Sequence, residues 1–227
     1  MRTQLEKLGR VLGYADPTPR LPSISLGDLV GHRFSVEIVE PDTADWNVVL
    51  GELLAINAIV AKFAPRSIFE IGTYDGRTTL NLAVNAPAGS TVYTLDLPPG
   101  TIKMPKVNAV GERFKGTPSE PSIVQLYGNS LSYDFSHYRG MIDFVFVDAN
   151  HQYEYVANDT KRALELIRGR QGIILWHDYG LKPGVTRAVD ELLSELHQVQ
   201  LFAAIRDTRL ACLILSSAPA ECVPSDG

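Results

Sequence analysis

Short apolar runs recur along the chain: "SIFEIG" (67–72), "TVYTLDL" (91–97), "IVQLYGN" (123–129), "IDFVFVDA" (142–149) and "GIILWHD" (172–178). Each is apolar at successive positions rather than at every second one. That is the pattern of strands covered on both faces of a parallel sheet. A different period separates several of them. In "EYVANDTKRALELI", Val156, Thr160, Ala163, Leu164 and Ile167 fall on one side of a helix. In "GVTRAVDELLSEL", Val185, Ala188, Val189, Leu192, Leu193 and Leu196 follow the 3.6-residue repeat. Upstream, "TADWNVVLGELLAINAIVAKFA" predicts a helix from about Asp45 to Phe63, with Thr43 or Asp45 as its cap. At the other end, "LFAAIRDTRLACLIL" reads as two strands joined by a polar turn at Asp207 and Thr208, a hairpin.

Alternating strands and helices predict an α/β fold, a doubly wound, mostly parallel seven-stranded sheet of Rossmann-like type with an antiparallel C-terminal β-hairpin. Residues 1–43, with prolines at 17, 19, 22 and 41, read as an N-terminal appendage, 44–216 as the main domain and 217–227 as a tail. The connection over residues 98–121, rich in Pro, Gly and Lys, is long for a compact domain. It is either a lid or binding loop, or a surface excursion with a short helix.

Composition narrows the function. The chain has 227 residues, 45% of them hydrophobic, enough for one full core. Its net charge of −5, with no basic stripe, argues against a nucleic-acid partner. No stretch reaches the ~20 apolar residues of a membrane span, and the N-terminal "MRTQLEKLGRVLGY" lacks the apolar core of a signal peptide. The two cysteines, Cys212 in an apolar run and Cys222 in a polar stretch, are too few for a disulfide framework. A reducing, cytoplasmic setting is expected.

The first strand ends in Glu70-Ile71-Gly72-Thr73-Tyr74-Asp75-Gly76. Dinucleotide sites use G-x-G-x-x-G, with glycines that let the backbone touch a pyrophosphate. Here the spacing is G-x-x-x-G, and two carboxylates flank it. Carboxylates repel a pyrophosphate but suit a cofactor with an amino group and no phosphate, such as S-adenosylmethionine. Asp96 ends the second strand 20 residues after Gly76, where an acid can accept hydrogen bonds from ribose hydroxyls. An ordinary strand–helix turn capped by Thr73 or Asp75 is the plainer alternative.

Two later strands also end in polar clusters: Asp148, Asn150 and His151 after one, His177 and Asp178 after the other. If these strands are neighbours, the clusters meet at one sheet edge and form a candidate divalent-cation site. The P-loop, the G-x-S-x-G elbow and the HExxH motif do not occur.

"FEIGTYDGRTT", "LDL", "FVFVDANHQYEYVANDTKRAL" and "IILWHDY", in this order, resemble class I S-adenosylmethionine-dependent methyltransferases. Within them, the set is similar to the metal-dependent O-methyltransferase branch: macrolide-sugar enzymes and, more distantly, catechol and caffeoyl-CoA O-methyltransferases. The resemblance spans roughly residues 44–216. It implies that Glu70, Gly72 and Gly76, with Tyr74, Asp75 and Thr78 of the same turn, line the methionine end of the cofactor. Asp96 would hold the ribose, and Gly128, Asn129 and Ser130 would lie near the adenine. Asp148 would border the cofactor and, with His177 and Asp178, ligate Mg²⁺ or Mn²⁺. The chain has His-Asp where the catechol enzymes have Asp-Asn, and histidine suits Mn²⁺, Fe²⁺ or Zn²⁺ better than Mg²⁺. His151, three residues after Asp148, stands where the catechol relatives carry a proton-accepting lysine. With Asp148 it forms the implied catalytic pair.

The expected activity is O-methylation of a small-molecule or sugar (glycan) hydroxyl, assisted by a divalent cation; oligomeric state stays open, with the N-terminal segment as a candidate homodimer contact. Two rivals stay open: a non-catalytic S-adenosylmethionine-binding protein and a nicotinamide-dependent oxidoreductase.

Overall fold

The computed structural model describes residues 18–43, 46–101, 109–167, 169, 171–196 and 199–215. The five apolar runs and the hairpin form strands as the pattern predicts. They are β2 (Ser67–Ile71), β3 (Thr91–Asp96), β4 (Ile123–Tyr127), β5 (Phe144–Val147), β6 (Gly172–Trp176), β7 (Leu201–Ile205) and β8 (Ala211–Leu215). Among the described residues the sheet has eight strands, not seven. The extra one, β1 (Ser23–Ile24), pairs with Ala204 and Ile205 at the outer edge of β7. Two residues after a proline carry no strand pattern of their own, and the open edge of β7 supplies the reason for their conformation. Leu21 and Val30 are buried in the core, so the described part of the N-terminal segment packs with the main domain.

The strand order is β1-β7-β8-β6-β5-β2-β3-β4. Only β8 is reversed among the described strands, antiparallel to both β6 and β7. From β2 the chain winds outward through β3 and β4. It then returns to β5 on the other side of β2 and continues to β6. The order therefore reverses between β2 and β5, the topological switch point where ligands bind in open α/β sheets.

Helices α1 (Leu26–Val30), α2 (Leu50–Phe63), α3 (Arg77–Asn85), α4 (Tyr153–Leu166) and α5 (Pro183–Glu195) cover the sheet. Side chains alternate strictly across it. Phe69, Ile71, Val145 and Val147 pack with Val156, Ala163, Val185 and Val189 of α4 and α5. Ile68, Phe144 and Phe146 pack with Leu53, Ile56 and Val60 of α2. The predicted faces of α4 and α5 hold, with Leu164, Leu193 and Leu196 half-buried at their margins. Helix α2 begins later than its pattern predicts, at Leu50, and its N-cap is Val49 with no side-chain cap bond. Of the two expected caps, Thr43 lies well before this start and Asp45 falls outside the described residues. Trp46, at φ 73°, turns the chain away from helical geometry just upstream. Cys212 is fully buried as expected. Cys222, His197 and the tail 217–227 lie outside the described residues. His32 and His137 are exposed.

Candidate functional site

Because β2, β3, β4, β5 and β6 are parallel, their carboxyl ends share one edge. Register places Ile71 opposite Leu95 and Val147, and Val147 opposite Trp176. The residues that follow therefore form one row across the edge: Asp96, Gly72, Asp148 and His177. The ladder continues one step through them, with Gly72 N donating to Leu95 O (2.8 Å), Asp148 N to Ile71 O (2.9 Å) and His177 N to Val147 O (3.1 Å).

Gly72 holds this row together. It sits at φ +109°, and a Cβ there would lie 2.1 Å from the Asp148 carbonyl oxygen. Gly76, at φ +86°, starts α3, and a Cβ on it would meet the Phe114 ring at 2.6 Å. The space both glycines leave is filled by the chain itself, not held open for a ligand.

The two carboxylates of the turn have different fates. Glu70 has no exposed surface and accepts hydrogen bonds on Oε2 from the hydroxyls of Thr79 and of Thr94, the latter at 2.6 Å. Burial pushes its pKa up to about 8, against the lowering effect of the two threonines. Asp75 is also buried, and its oxygens accept from Arg77 N (3.0 Å), Asn47 Nδ2 (3.0 Å) and Arg113 Nε (2.7 Å). One carboxyl is thus neutral around pH 7 and the other is matched by a guanidinium. The charge repulsion expected from the sequence is weaker than two free carboxylates would give.

Arg113 comes from the 98–121 connection, of which residues 102–108 lie outside the described part. Gly111 N donates to Tyr74 O and Arg113 N to Asp75 O, both at 2.9 Å, so the second half of this connection docks onto the glycine turn. Arg77, fully buried, donates to the carbonyls of Glu40, Val48 and Pro41 and ties the segment before α2 to the same turn.

Asp96 accepts from Tyr74 N (2.7 Å) on one oxygen and Leu97 N (2.6 Å) on the other. Burial raises its pKa, and those backbone bonds oppose the shift. The Thr73 backbone amide also donates to this carboxylate, which leaves it acceptor capacity for one further donor. Thr78 stands half-buried in the first turn of α3. After β4, Gly128 N donates to Asp96 O (2.8 Å), Asn129 Oδ1 accepts from Leu131 N (3.0 Å), and Asn158 Nδ2 donates to Ser130 O (3.0 Å). Gly72, Tyr74, Asp96 and Gly128 are therefore linked within one crevice.

On the other side of Gly72, Asp148, His151, His177 and Asp178 meet. His177 Nδ1 lies 3.2 Å from Asp148 Oδ1 and 3.7 Å from Asp178 Oδ1. His151 Nε2 lies 3.2 Å from Asp178 Oδ2 and 3.7 Å from Asp148 Oδ1. Asp178 adopts φ +61°, a left-handed conformation that aspartate tolerates better than most residues. Burial would raise the pKa of Asp148, but the two imidazoles overcome it and hold the carboxyl well below the usual range. Burial would lower His177, but the surrounding carboxylates, Asp148 first, push it up to about 10.

Ligand atoms of Asp148, His177 and Asp178 all lie within 4.8 Å of one another, the spacing of a metal site. One imidazole nitrogen and two carboxylates fit a divalent cation of the Mn²⁺, Fe²⁺ or Zn²⁺ kind.

Three residues of this neighbourhood carry little sequence signal. Glu52, from α2, is buried and lies 2.9 Å from His177 Nε2 through Oε2. Its one trace is an acid inside the apolar stretch "VVLGELLAINAIV". Gly184, near the start of α5, would bring a Cβ to 2.3 Å from His151 O, so its missing side chain lets α5 seat the His151 loop. Arg113 is separated from the turn it neutralises by 38 residues.

A groove of ≈ 630 Å³ borders the opposite ends of β3 and β4, between α3 and the 117–122 segment, away from this cluster.

Residues 69–179, which enclose the turn, Asp96, the 128–130 segment and the cluster up to Tyr179, match a methyltransferase domain family. This stretch is similar to a methyltransferase domain. No curated protein matches it in sequence. Solved structures share its fold. The O-methyltransferase TomG from Streptomyces achromogenes, involved in tomaymycin synthesis and bound to S-adenosylmethionine, aligns with TM-score 0.63 at 17% identity. The match covers 95% of this chain and all of that one. A Podospora anserina methyltransferase bound to S-adenosylhomocysteine aligns with TM-score 0.61 at 20% identity, over 96% and 98% of the two chains. An O-methyltransferase from Bacillus cereus, also with S-adenosylhomocysteine, aligns with TM-score 0.57 at 18% identity, over 78% and 84%. The methyltransferase fold is the one expected from the sequence, with β8 as its reversed strand.

Proposed function

We propose that this methyltransferase domain transfers the methyl group of S-adenosylmethionine to a hydroxyl of a small-molecule or sugar acceptor, assisted by a divalent cation. The observation that carries the reading is the Asp148–His151–His177–Asp178 cluster, set beside the Asp96 crevice at the switch point of the sheet.

S-adenosylmethionine, when bound, supplies an electrophilic methyl carbon on a sulfonium. Asp96 offers its remaining acceptor capacity to a ribose hydroxyl, while the Tyr74 and Leu97 amides keep the carboxylate in place. Asp148, Asp178 and His177 would hold a divalent cation, whose charge acidifies a bound hydroxyl. His151, whose side chain is 38% exposed although its Nε2 is buried against Asp178 and Asp148, would take the hydroxyl proton. The new C–O bond forms as the C–S bond breaks, the electron pair returns to sulfur as S-adenosylhomocysteine leaves, and the proton ends on His151. Holding acceptor and donor in line is a large source of rate by itself.

Calorimetry on the purified chain tests the cofactor half. S-adenosylmethionine and S-adenosylhomocysteine should bind, and NAD weakly or not at all; tighter binding of NAD overturns the reading. Once an acceptor is found, chelator should depress turnover, and Mn²⁺ or Mg²⁺ should restore it. Full activity in exhaustive chelator removes the cation from the reaction.

A further inference from the structure

Glu52 stands outside every motif described above and belongs to no strand end. It reaches the cluster from the first turn of α2 and is 3% exposed. Both its oxygens act as acceptors: Oε1 takes the Arg209 backbone N–H at 2.9 Å, and Oε2 faces His177 Nε2 at 2.9 Å. A carboxylate held this way has no proton to give, so the hydrogen between Glu52 and His177 belongs to Nε2. The other ring nitrogen, Nδ1, faces Asp148 Oδ1 and Asp178 Oδ1, and a cation bound between them would displace the proton it carries there.

Resting on the metal-assisted reading above, the geometry points to Glu52 as the positioning residue of this site: it fixes the His177 ring and reserves Nδ1 as a nitrogen ligand for a borderline divalent cation. Metal-bound histidines generally donate their second ring N–H to a carboxylate, which sets tautomer and orientation and makes the ligand nitrogen more basic. A nitrogen ligand matters much for Co²⁺ and little for Mg²⁺, which prefers carboxylate and water. Glu52 should therefore act on which metal is held, not only on how tightly.

Glu52→Gln tests this at nearly constant shape. The amide has one acceptor where the carboxylate has two. If its oxygen keeps the Arg209 N–H, its NH₂ faces His177 Nε2, which must then turn into an acceptor and move the proton to Nδ1. Titrations of the full chain with Co²⁺ and Mg²⁺, without cofactor or acceptor, give the readout. The expected result is a 10–100-fold weaker Co²⁺ affinity, the usual size for loss of such a partner, with Mg²⁺ affinity within about twofold of wild type. In a His177→Asp background the same substitution should no longer weaken Co²⁺ binding. If Co²⁺ and Mg²⁺ affinities fall together, or neither falls, Glu52 only braces the β7–β8 turn through Arg209 and the inference is overturned. If the wild-type chain binds neither ion, the metal part of the proposed function fails and takes this inference with it. Retained S-adenosylhomocysteine binding would then show that the methyltransferase reading itself survives.

Discussion

Glu70 sits where a charge is hardest to keep. It is fully buried, one oxygen has two threonine donors, and burial outweighs them to place its pKa at about 8. The unfolded side chain titrates near the ordinary glutamate value of 4.5. Between those two values the folded chain binds a proton that the unfolded chain has lost, so this group makes stability fall as pH rises through that window and level off above it. At ~1.4 kcal/mol per pH step, the loss from pH 6 to 7.5 is on the order of 2 kcal/mol. Glutamine mimics the protonated form at every pH. Melting temperatures of wild type and Glu70→Gln should therefore diverge as pH rises from 5 to 8, in favour of the variant; parallel profiles would show that Glu70 ionises without cost. Gly72 carries a second prediction at this scale. With φ +109° and a Cβ position 2.1 Å from the Asp148 carbonyl, Gly72→Ala combines backbone strain with overpacking, each costing roughly 1–3 kcal/mol. The urea midpoint should drop by the equivalent of ~2–5 kcal/mol. An unchanged midpoint with lost cofactor binding would instead make Gly72 a ligand contact only.

Among elements, what was legible in the sequence followed from periodicity. Strands β2, β5 and β6 are buried on both faces and show as near-continuous apolar runs, while β4, at the sheet edge, exposes Val124 and Tyr127. Asp148 and His177, at the ends of two of the buried strands, were for that reason readable as meeting at one edge if the strands are neighbours, as β5 and β6 are. Elements whose conformation is decided by contacts far along the chain were not. Strand β1 exists because β7 has a free edge, and the start of α2 is set by the Trp46 turn rather than by a capping side chain. The same holds for side chains that reach the site from elsewhere. Glu52 and Arg113 act across 125 and 38 residues, respectively, and no local pattern encodes such reach. Gly184 belongs to this group and yields a prediction. Helix α5 lies against the backbone of His151, with Gly184 at the contact. Gly184→Val should push the His151 loop outward. Turnover should fall toward that of His151→Ala, roughly 10²–10⁴-fold if His151 is the general base, while S-adenosylhomocysteine affinity stays within a few-fold because the Asp96 crevice lies on the other side of Gly72. Equal losses in both quantities would mean that the substitution damages the fold rather than the loop.

At the scale of the whole molecule, the crevice joins parts of the chain that are otherwise separate. The turn after β2, the end of β3, the segment after β4 and the cluster after β5 and β6 all border the switch point, and the second half of the 98–121 connection is pinned to the same turn through Arg113 and Asp75. A ligand bound there touches both wings of the sheet at once and is bound only when all of them are folded. Such a ligand stabilises by mass action: at a free concentration of ~100 times its Kd the gain is about 2.7 kcal/mol, whatever the contacts. For a chain of 227 residues each kcal/mol moves the melting temperature by roughly 2–4 °C. S-adenosylhomocysteine at that concentration should thus raise it by about 5–11 °C. NAD, whose pyrophosphate has no G-x-G-x-x-G turn to receive it, should raise it by less than about 1 °C at equal concentration. Asp96→Ala should remove most of the S-adenosylhomocysteine shift, since its carboxylate is the ribose acceptor in the proposed site. Its unliganded melting temperature should fall only modestly, because Tyr74 and Leu97, two of the three residues whose amides lose their partner, are half-exposed and can turn to water. A full thermal shift in Asp96→Ala would place the ribose elsewhere, and with it the assignment of the crevice as the cofactor site would have to be abandoned.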